Sequence, residues 1–279
     1  MPGIDAVSRV GVDRVAMVSL WCVDDDRLAR GGSAVPPMTL SARALAQSKR
    51  ERIAPLAVLD DEGVDRARTL LVHEIYTSLQ GEGTRAGVRC TFVRLTACHL
   101  RCTYCDTEHA FDEGTLRSVD DVLVEVKREG AKFVQLTGGE PLLQRAAPAL
   151  MKALSDDGFT VLLETSGGVS TEHVDPRVVT ILDVKTPGSG EHERNVWKNL
   201  ERLRAHDEVK FVITSADDYA WSRRVVEEHA LTRVCTVLFS PSFPGLSPTV
   251  LAEWMVRDKL DVRFQMQLHK VLWGEKRGV

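Results

Sequence analysis

From Thr69 onward, short apolar runs alternate with longer stretches of helical period, and this alternation restricts the chain to a parallel α/β sheet with right-handed crossovers. Strand candidates are 71–79, 91–95, 132–136, 160–163, 178–182, 208–214, 236–240 and 262–267. Helix candidates are 119–129, 146–156, 196–204, 217–229 and 248–259, and Ser118 is placed to cap the first. Several strand candidates run into polar or glycine-rich segments: Thr137-Gly138-Gly139-Glu140-Pro141, Glu164-Thr165-Ser166-Gly167 and Asp183-Val184-Lys185-Thr186. In a parallel sheet such ends line one mouth, where α/β sites form.

Residues 1–69 lack this regularity. The run 15–23 has strand character, 31–37 reads as a linker, and 40–59 could form one helix with a weak apolar face. The expected organisation is an N-terminal extension over 1–69, poorly defined or partly disordered, followed by a catalytic domain over 70–279. With 36 basic and 40 acidic residues the net charge is -4, which speaks against a broad basic surface and so against a nucleic-acid partner. No apolar run reaches the length of a membrane span, and the N-terminus lacks the order of a secretory signal. A cytoplasmic, reducing location is therefore expected.

The six cysteines are unevenly spread. Cys22, Cys90 and Cys235 read as small buried hydrophobes. Cys98, Cys102 and Cys105 fall in one loop, spaced Cys-x3-Cys-x2-Cys. Three thiolates on so compact a loop can hold three irons of a [4Fe–4S] cube and leave the fourth open to a small molecule. Zinc completed by His99 or His109 is a second reading. A thioredoxin-like pair is a third, and it leaves Cys98 unexplained.

The run Cys98-His99-Leu100-Arg101-Cys102-Thr103-Tyr104-Cys105 resembles the signature of radical S-adenosylmethionine enzymes, and Gly138-Gly139-Glu140-Pro141 resembles their GGEP motif. Leu79-Gln80-Gly81-Glu82-Gly83, Phe92-Val93-Arg94 and Cys105-Asp106-Thr107 narrow the likeness to the 7-carboxy-7-deazaguanine synthase family, over roughly 72–274. The resemblance implies a partial, modified TIM-like barrel of about six parallel strands with a reduced helix set. It implies a carbon–nitrogen lyase of queuosine and 7-deazapurine biosynthesis. In that family a 5'-deoxyadenosyl radical takes hydrogen from C6 of 6-carboxy-5,6,7,8-tetrahydropterin, the ring contracts and ammonia leaves. The implied cofactors are a [4Fe–4S] cluster, S-adenosylmethionine and Mg2+. The implied partners are the pterin, an external one-electron reductant such as flavodoxin, and a second copy in a homodimer.

Roles carry over by position. Cys98, Cys102 and Cys105 would bind the cluster and Thr107 the magnesium. Tyr104, Gly138, Gly139, Glu140, Ser166, Asp183 and Lys185 would contact S-adenosylmethionine. Leu79, Gln80, Gly81, Arg94, Thr137 and His269 would bind substrate, with Glu82, Arg94 and Lys185 catalytic. Plainer readings stand beside these. Glu82 could order its turn, Ser166 could cap a helix, Asp183 and Lys185 could form a structural salt bridge, and His269 could pack. An arginine inside an apolar strand seldom lies there without a partner, so Arg94 is assigned to the substrate carboxylate. A ribonucleotide-reductase activating enzyme and a non-catalytic zinc module are the alternatives to the whole reading.

Overall fold

A computed structural model of the chain describes residues 51–274, Lys276 and Gly278. The expectations for 15–23, 31–37 and Cys22, and the part 40–50 of the single helix expected over 40–59, lie outside the described residues; where that helix is described it does not continue to 59 but gives way to a 3-10 helix over Ala54–Asp60, with Pro55, which lacks an N–H, in its first turn.

One nine-stranded sheet organises them: β1 (Thr69–Leu79), β2 (Arg89–Leu95), β3 (Thr115–Ser118), β4 (Phe133–Gly138), β5 (Thr160–Thr165), β6 (Val179–Asp183), β7 (Glu208–Ile213), β8 (Thr236–Pro241) and β9 (Arg263–Phe264). Its order is β3-β1-β2-β4-β5-β6-β7-β8-β9. From β2 through β9 every pairing is parallel, whereas β1 runs antiparallel to both β2 and β3. The wholly parallel sheet expected from the alternation is thus corrected to a mixed one. Period-two patterning gives a strand's faces but not its direction. The strand β3 escaped notice because Thr115-Leu116-Arg117-Ser118 is short and largely exposed.

The helices are α1 (Val119–Glu129), α2 (Ala147–Asp156), α3 (Ala216–Glu228), α4 (Pro248–Arg257) and α5 (Leu268–Trp273). The Ser118 hydroxyl caps α1 by accepting from Asp121 N at 3.0 Å, and Gly130, in the left-handed region, ends it. Val119, Val122 and Val126 of α1 pack with Leu150, Met151 and Leu154 of α2 over Val93, Leu95, Val134 and Leu136. A second core gathers Phe211, Phe239, Tyr219 and Leu251 where α3 and α4 cover β7 and β8. The result is a partial α/β barrel of the TIM type with a reduced helix set.

Two further expectations change. Residues 196–204 form only a 3-10 helix, Trp197–Arg202. Of this segment Leu200 is buried in the core under α3 and α4, and Asn199 beside it turns inward to bond the backbone of Gly167, Val169 and Thr171. The last strand shrinks to Arg263–Phe264: Gln265 makes one more backbone bond to Phe239 O at 2.9 Å, its side chain accepts from Gly83 N at 2.6 Å, and α5 begins at Leu268. Before β1, Ala54–Asp60 is a 3-10 helix whose Leu56 and Leu59 share a small core with Leu71 and Ala97. Among the described residues no helix is long and apolar enough to cross a membrane.

Candidate active site

Parallel register brings the C-terminal strand ends together: Arg94 lies beside Thr137, Leu95 beside Gly138, and Asp183 beside Lys210. They surround a cavity of about 470 Å3. Its lining includes Leu79, Gln80, Gly81, Glu82, Arg94, Cys98, Cys102, Tyr104, Cys105, Thr107, Thr137, Gly138, Gly139, Ser166, Asp183, Lys185 and His269. Of the residues selected from sequence, Glu140 alone stands behind this wall.

The cavity is not built from one mouth only. Since β1 is antiparallel, Leu79 pairs with Arg89 at the start of β2, so the turn after Leu79 enters from the opposite end. Glu208, the first residue of β7, anchors it there by accepting from Thr84 N at 3.1 Å and from Arg85 Nη1 at 2.8 Å. Gln80 bonds Gln135, which comes from β4. Gly81 meets α5 so closely that a Cβ there would lie 2.4 Å from His269 Nδ1, and its carbonyl accepts from Leu268 N at 2.9 Å. This turn therefore forms the floor, with His269 against it.

The cysteine loop follows β2. Cys98, Cys102 and Cys105 are free thiols, and they pack with Leu100 and Phe111. Burial pushes the Cys98 thiol up to about 12 and raises Cys102 and Cys105 as well. Cys90 and Cys235 are buried and are also pushed up to about 12, as inert packing residues would be. The loop docks on residues 188–191. There Thr103 N donates to Ser189 O at 3.1 Å, Thr103 Oγ1 to Gly188 O at 2.8 Å, and Arg101 N to Glu191 Oε1 at 2.7 Å.

At the end of β4, Gly138 has φ +138°, and a Cβ on Gly139 would lie 2.1 Å from Ala97 O and 2.8 Å from Cys98 Cβ. Only glycine lets this strand end close on the cysteine loop. Glu140 is fully buried and accepts from Leu142 N at 3.0 Å, Thr165 Oγ1 at 2.9 Å, Ser166 N at 2.8 Å and Ser166 Oγ. Burial raises its pKa despite these donors. It ties the ends of β4 and β5 together, and Ser166, bonded to it, is the member that faces the cavity.

Beneath these groups lies a cluster of charges, of which Asp183, Lys185 and Lys210 are buried and Glu82 and Glu164 half-buried. Lys210 Nζ reaches Glu82 Oε2 at 2.9 Å, Glu164 Oε1, and Asp183 Oδ2 at 3.5 Å; Lys185 Nζ reaches Asp183 Oδ2 at 2.9 Å. Lys185 also lies 5.8 Å from the Tyr104 ring centre. Burial would raise Glu82, but Lys210 and the Gln267 bond outweigh it and hold its pKa down. Glu164 is raised by burial, with Glu82 and Asp183 adding to the effect of desolvation. Burial would lower Lys185 and Lys210, but their carboxylate partners keep both well above the ordinary lysine value. Glu164, Lys210 and Gln135 were missed from sequence. The available signal was a lone polar residue at an alternate position of an otherwise apolar strand.

Arg94 is mostly buried and donates from Nε to Glu74 Oε1 at 2.7 Å and from Nη2 to Tyr76 OH at 3.0 Å. Beside it, His73, Glu74 and His109 each bring one ligand-capable atom within 4.8 Å of the others. Thr107 Oγ1 donates to Asp106 Oδ1 at 2.8 Å, and Asp106 Oδ2 lies 3.2 Å from Lys270 Nζ.

Residues 93–183 match the family described as the radical SAM superfamily. Two relatives called 7-carboxy-7-deazaguanine synthase are each 43% identical to this chain: that of Chlorobaculum tepidum over 75% of this chain and 97% of its own, and that of Koribacter versatilis over 75% and 99%. The crystal structure of QueE from Escherichia coli superposes with TM-score 0.61 at 23% identity, covering 72% of this chain and 95% of that one. At that identity the likeness speaks for the fold.

Proposed function

The chain belongs to the 7-carboxy-7-deazaguanine synthase family of radical S-adenosylmethionine enzymes, and from that premise we propose how its residues carry out the ring contraction of 6-carboxy-5,6,7,8-tetrahydropterin to 7-carboxy-7-deazaguanine with loss of ammonia. The observation that carries the reading is that three free thiols, a glycine strand end and a floor of charges face one cavity.

Three soft thiolates on one loop fit an iron–sulfur cluster bound with one iron open. Cys98, Cys102 and Cys105 would hold that [4Fe–4S] cluster, which with S-adenosylmethionine supplies the radical chemistry that takes hydrogen from C6. Gly138 and Gly139 bring the end of β4 against the cysteine loop, so that their backbone lies at the cavity wall where the methionine moiety would bind. Ser166 offers a hydroxyl, and Asp183, Lys185 and Tyr104 form the wall on the far side.

The substrate is oriented by the floor. Arg94 has Nε and Nη2 engaged, so Nη1 is the nitrogen that meets the substrate carboxylate. Glu82 remains ionised beside Lys210 and accepts from the amino-pyrimidine edge of the pterin; Gln80 and His269 fix that edge from either side. Glu164, raised by its surroundings, is the floor carboxyl best suited to hold a proton when ammonia leaves. Thr107 supplies a hard oxygen for Mg2+, with Asp106 next to it. Delivery of electrons by an external reductant such as flavodoxin, and pairing as a homodimer, complete the proposal.

The test is anaerobic incubation of the reconstituted chain with reductant, S-adenosylmethionine, Mg2+ and 6-carboxytetrahydropterin. Formation of 7-carboxy-7-deazaguanine is expected. Slow release of 5'-deoxyadenosine without that product would remove the substrate assignment.

A further inference from the structure

Two supports of the cysteine loop come from the segment that precedes β1. Arg52 Nη1 donates to His99 O at 3.2 Å and to Glu191 Oε1 at 2.7 Å.

We propose that residues 52–59 are a clamp on the cysteine loop, in which Arg52 and Glu191 act as positioning residues for the segment Cys98–Cys102. Glu191 is 7% exposed and both of its oxygens are engaged. Oε1 accepts from both Arg52 and the Arg101 amide, and Oε2 accepts from Arg194 Nε at 2.9 Å. One carboxylate oxygen therefore couples the upstream segment directly to the backbone between two ligand cysteines. Charge-assisted bonds in so enclosed a place are stronger and less screened than surface pairs.

The second support is apolar. Leu56 and Leu59 pack in one core with Ala97, the residue just before Cys98. Ala97 has φ +77°, a conformation an alanine keeps only where its surroundings impose it. Its amide donates to Ala110 O and its carbonyl accepts from Glu140 N, both at 2.9 Å, while the 3-10 helix Ala54–Asp60 contributes to its apolar cover. The clamp thus holds the loop at its first turn through Ala97, and again at positions 99 and 101. Its importance for the cluster rests on the reading that the three cysteines are ligands.

The experiment compares Arg52→Gln, Arg52→Lys and Arg66→Gln in the full chain. Arg66 pairs with Asp60 on the surface just after this segment and serves as the control. Amide hydrogen exchange is measured first on metal-free protein. Exchange at Leu100 and Arg101 should quicken about tenfold in Arg52→Gln, stay near wild type in Arg52→Lys, and not change in Arg66→Gln. Cluster lifetime under a chelator, measured on reconstituted protein, should shorten in the same order. Unchanged exchange at Arg101 in Arg52→Gln, or acceleration spread equally over β6 and β7, would overturn the clamp. If Arg52→Gln does not fold, Leu59→Ala replaces it, with the same local acceleration required. Local acceleration in a chain that takes up no iron would uphold the clamp and remove the ligand reading, so the two failures are distinguishable.

Discussion

Lys210 Nζ donates to Glu82 Oε2 at 2.9 Å, joining the middle of β7 to the turn that follows β1. The same ammonium bonds Glu164 and approaches Asp183, so one cation holds three carboxylates from three places in the chain. With Lys185 added, the floor carries one more acidic group than basic. That balance suits a ligand presenting several N–H donors, as an amino-pyrimidine edge does.

Replacing Lys210 with Met should cost about 3–5 kcal/mol of stability, because it leaves buried and half-buried carboxylates without their counter-ion. It should also raise KM for the pterin while leaving iron content unchanged. Adding Glu164→Gln should recover part of the lost stability by removing one unpaired charge. Thermal unfolding of the single and double variants, beside iron analysis, checks this; a double variant less stable than Lys210→Met would contradict the electrostatic account.

Arg94→Lys should weaken substrate binding about 10- to 100-fold, since an ammonium cannot hold Glu74, Tyr76 and a carboxylate in one plane. The measurement is KM for 6-carboxytetrahydropterin against the rate of 5'-deoxyadenosine release without substrate. The release rate should not move.

Thr107→Ala should keep the cluster and weaken the response to magnesium. Activity titrated with Mg2+ should saturate about tenfold higher than in wild type if one of the few hard oxygen ligands is lost. An unchanged titration curve would remove Thr107 from the metal site.

Asp106 links the cysteine loop to α5. Burial would raise its pKa, but Lys270 and the Thr107 hydroxyl outweigh it and hold the carboxyl to about 2. A depressed carboxyl adds stability that is present above its ordinary value of 3.8 and lost as pH falls through about 2. Lys270→Gln should return Asp106 toward 3.8, so the gap in unfolding temperature between wild type and variant should narrow as pH falls from about 4 to about 2. Asp106 is 42% exposed, so solvent screening keeps the gap small. A gap independent of pH in that window would show that Lys270 acts by packing alone.

The strand ends at Gly138 and Thr165 and the cysteine triad were legible because each is local. Three thiols within eight residues, or two glycines at the end of an apolar run, state their chemistry without reference to the rest of the chain. Arg94 was legible too, as a charge where an apolar strand had no use for one. Its partner Glu74 was not, because only the β1–β2 register places them side by side.

What the sequence alone determined, then, is the alternation of strands and helices, the thiol loop and the glycine strand end. Tertiary structure decided the direction of β1, and with it the entry of the Gln80–Gly83 turn from the far end of the barrel. It also decided the pairing of Glu82 with Lys210 and of Arg52 with Glu191, which are 128 and 139 residues apart. Periodicity records which face of an element is buried. It carries no record of which neighbour that face meets, because strand pairing is settled by the packing of the whole sheet.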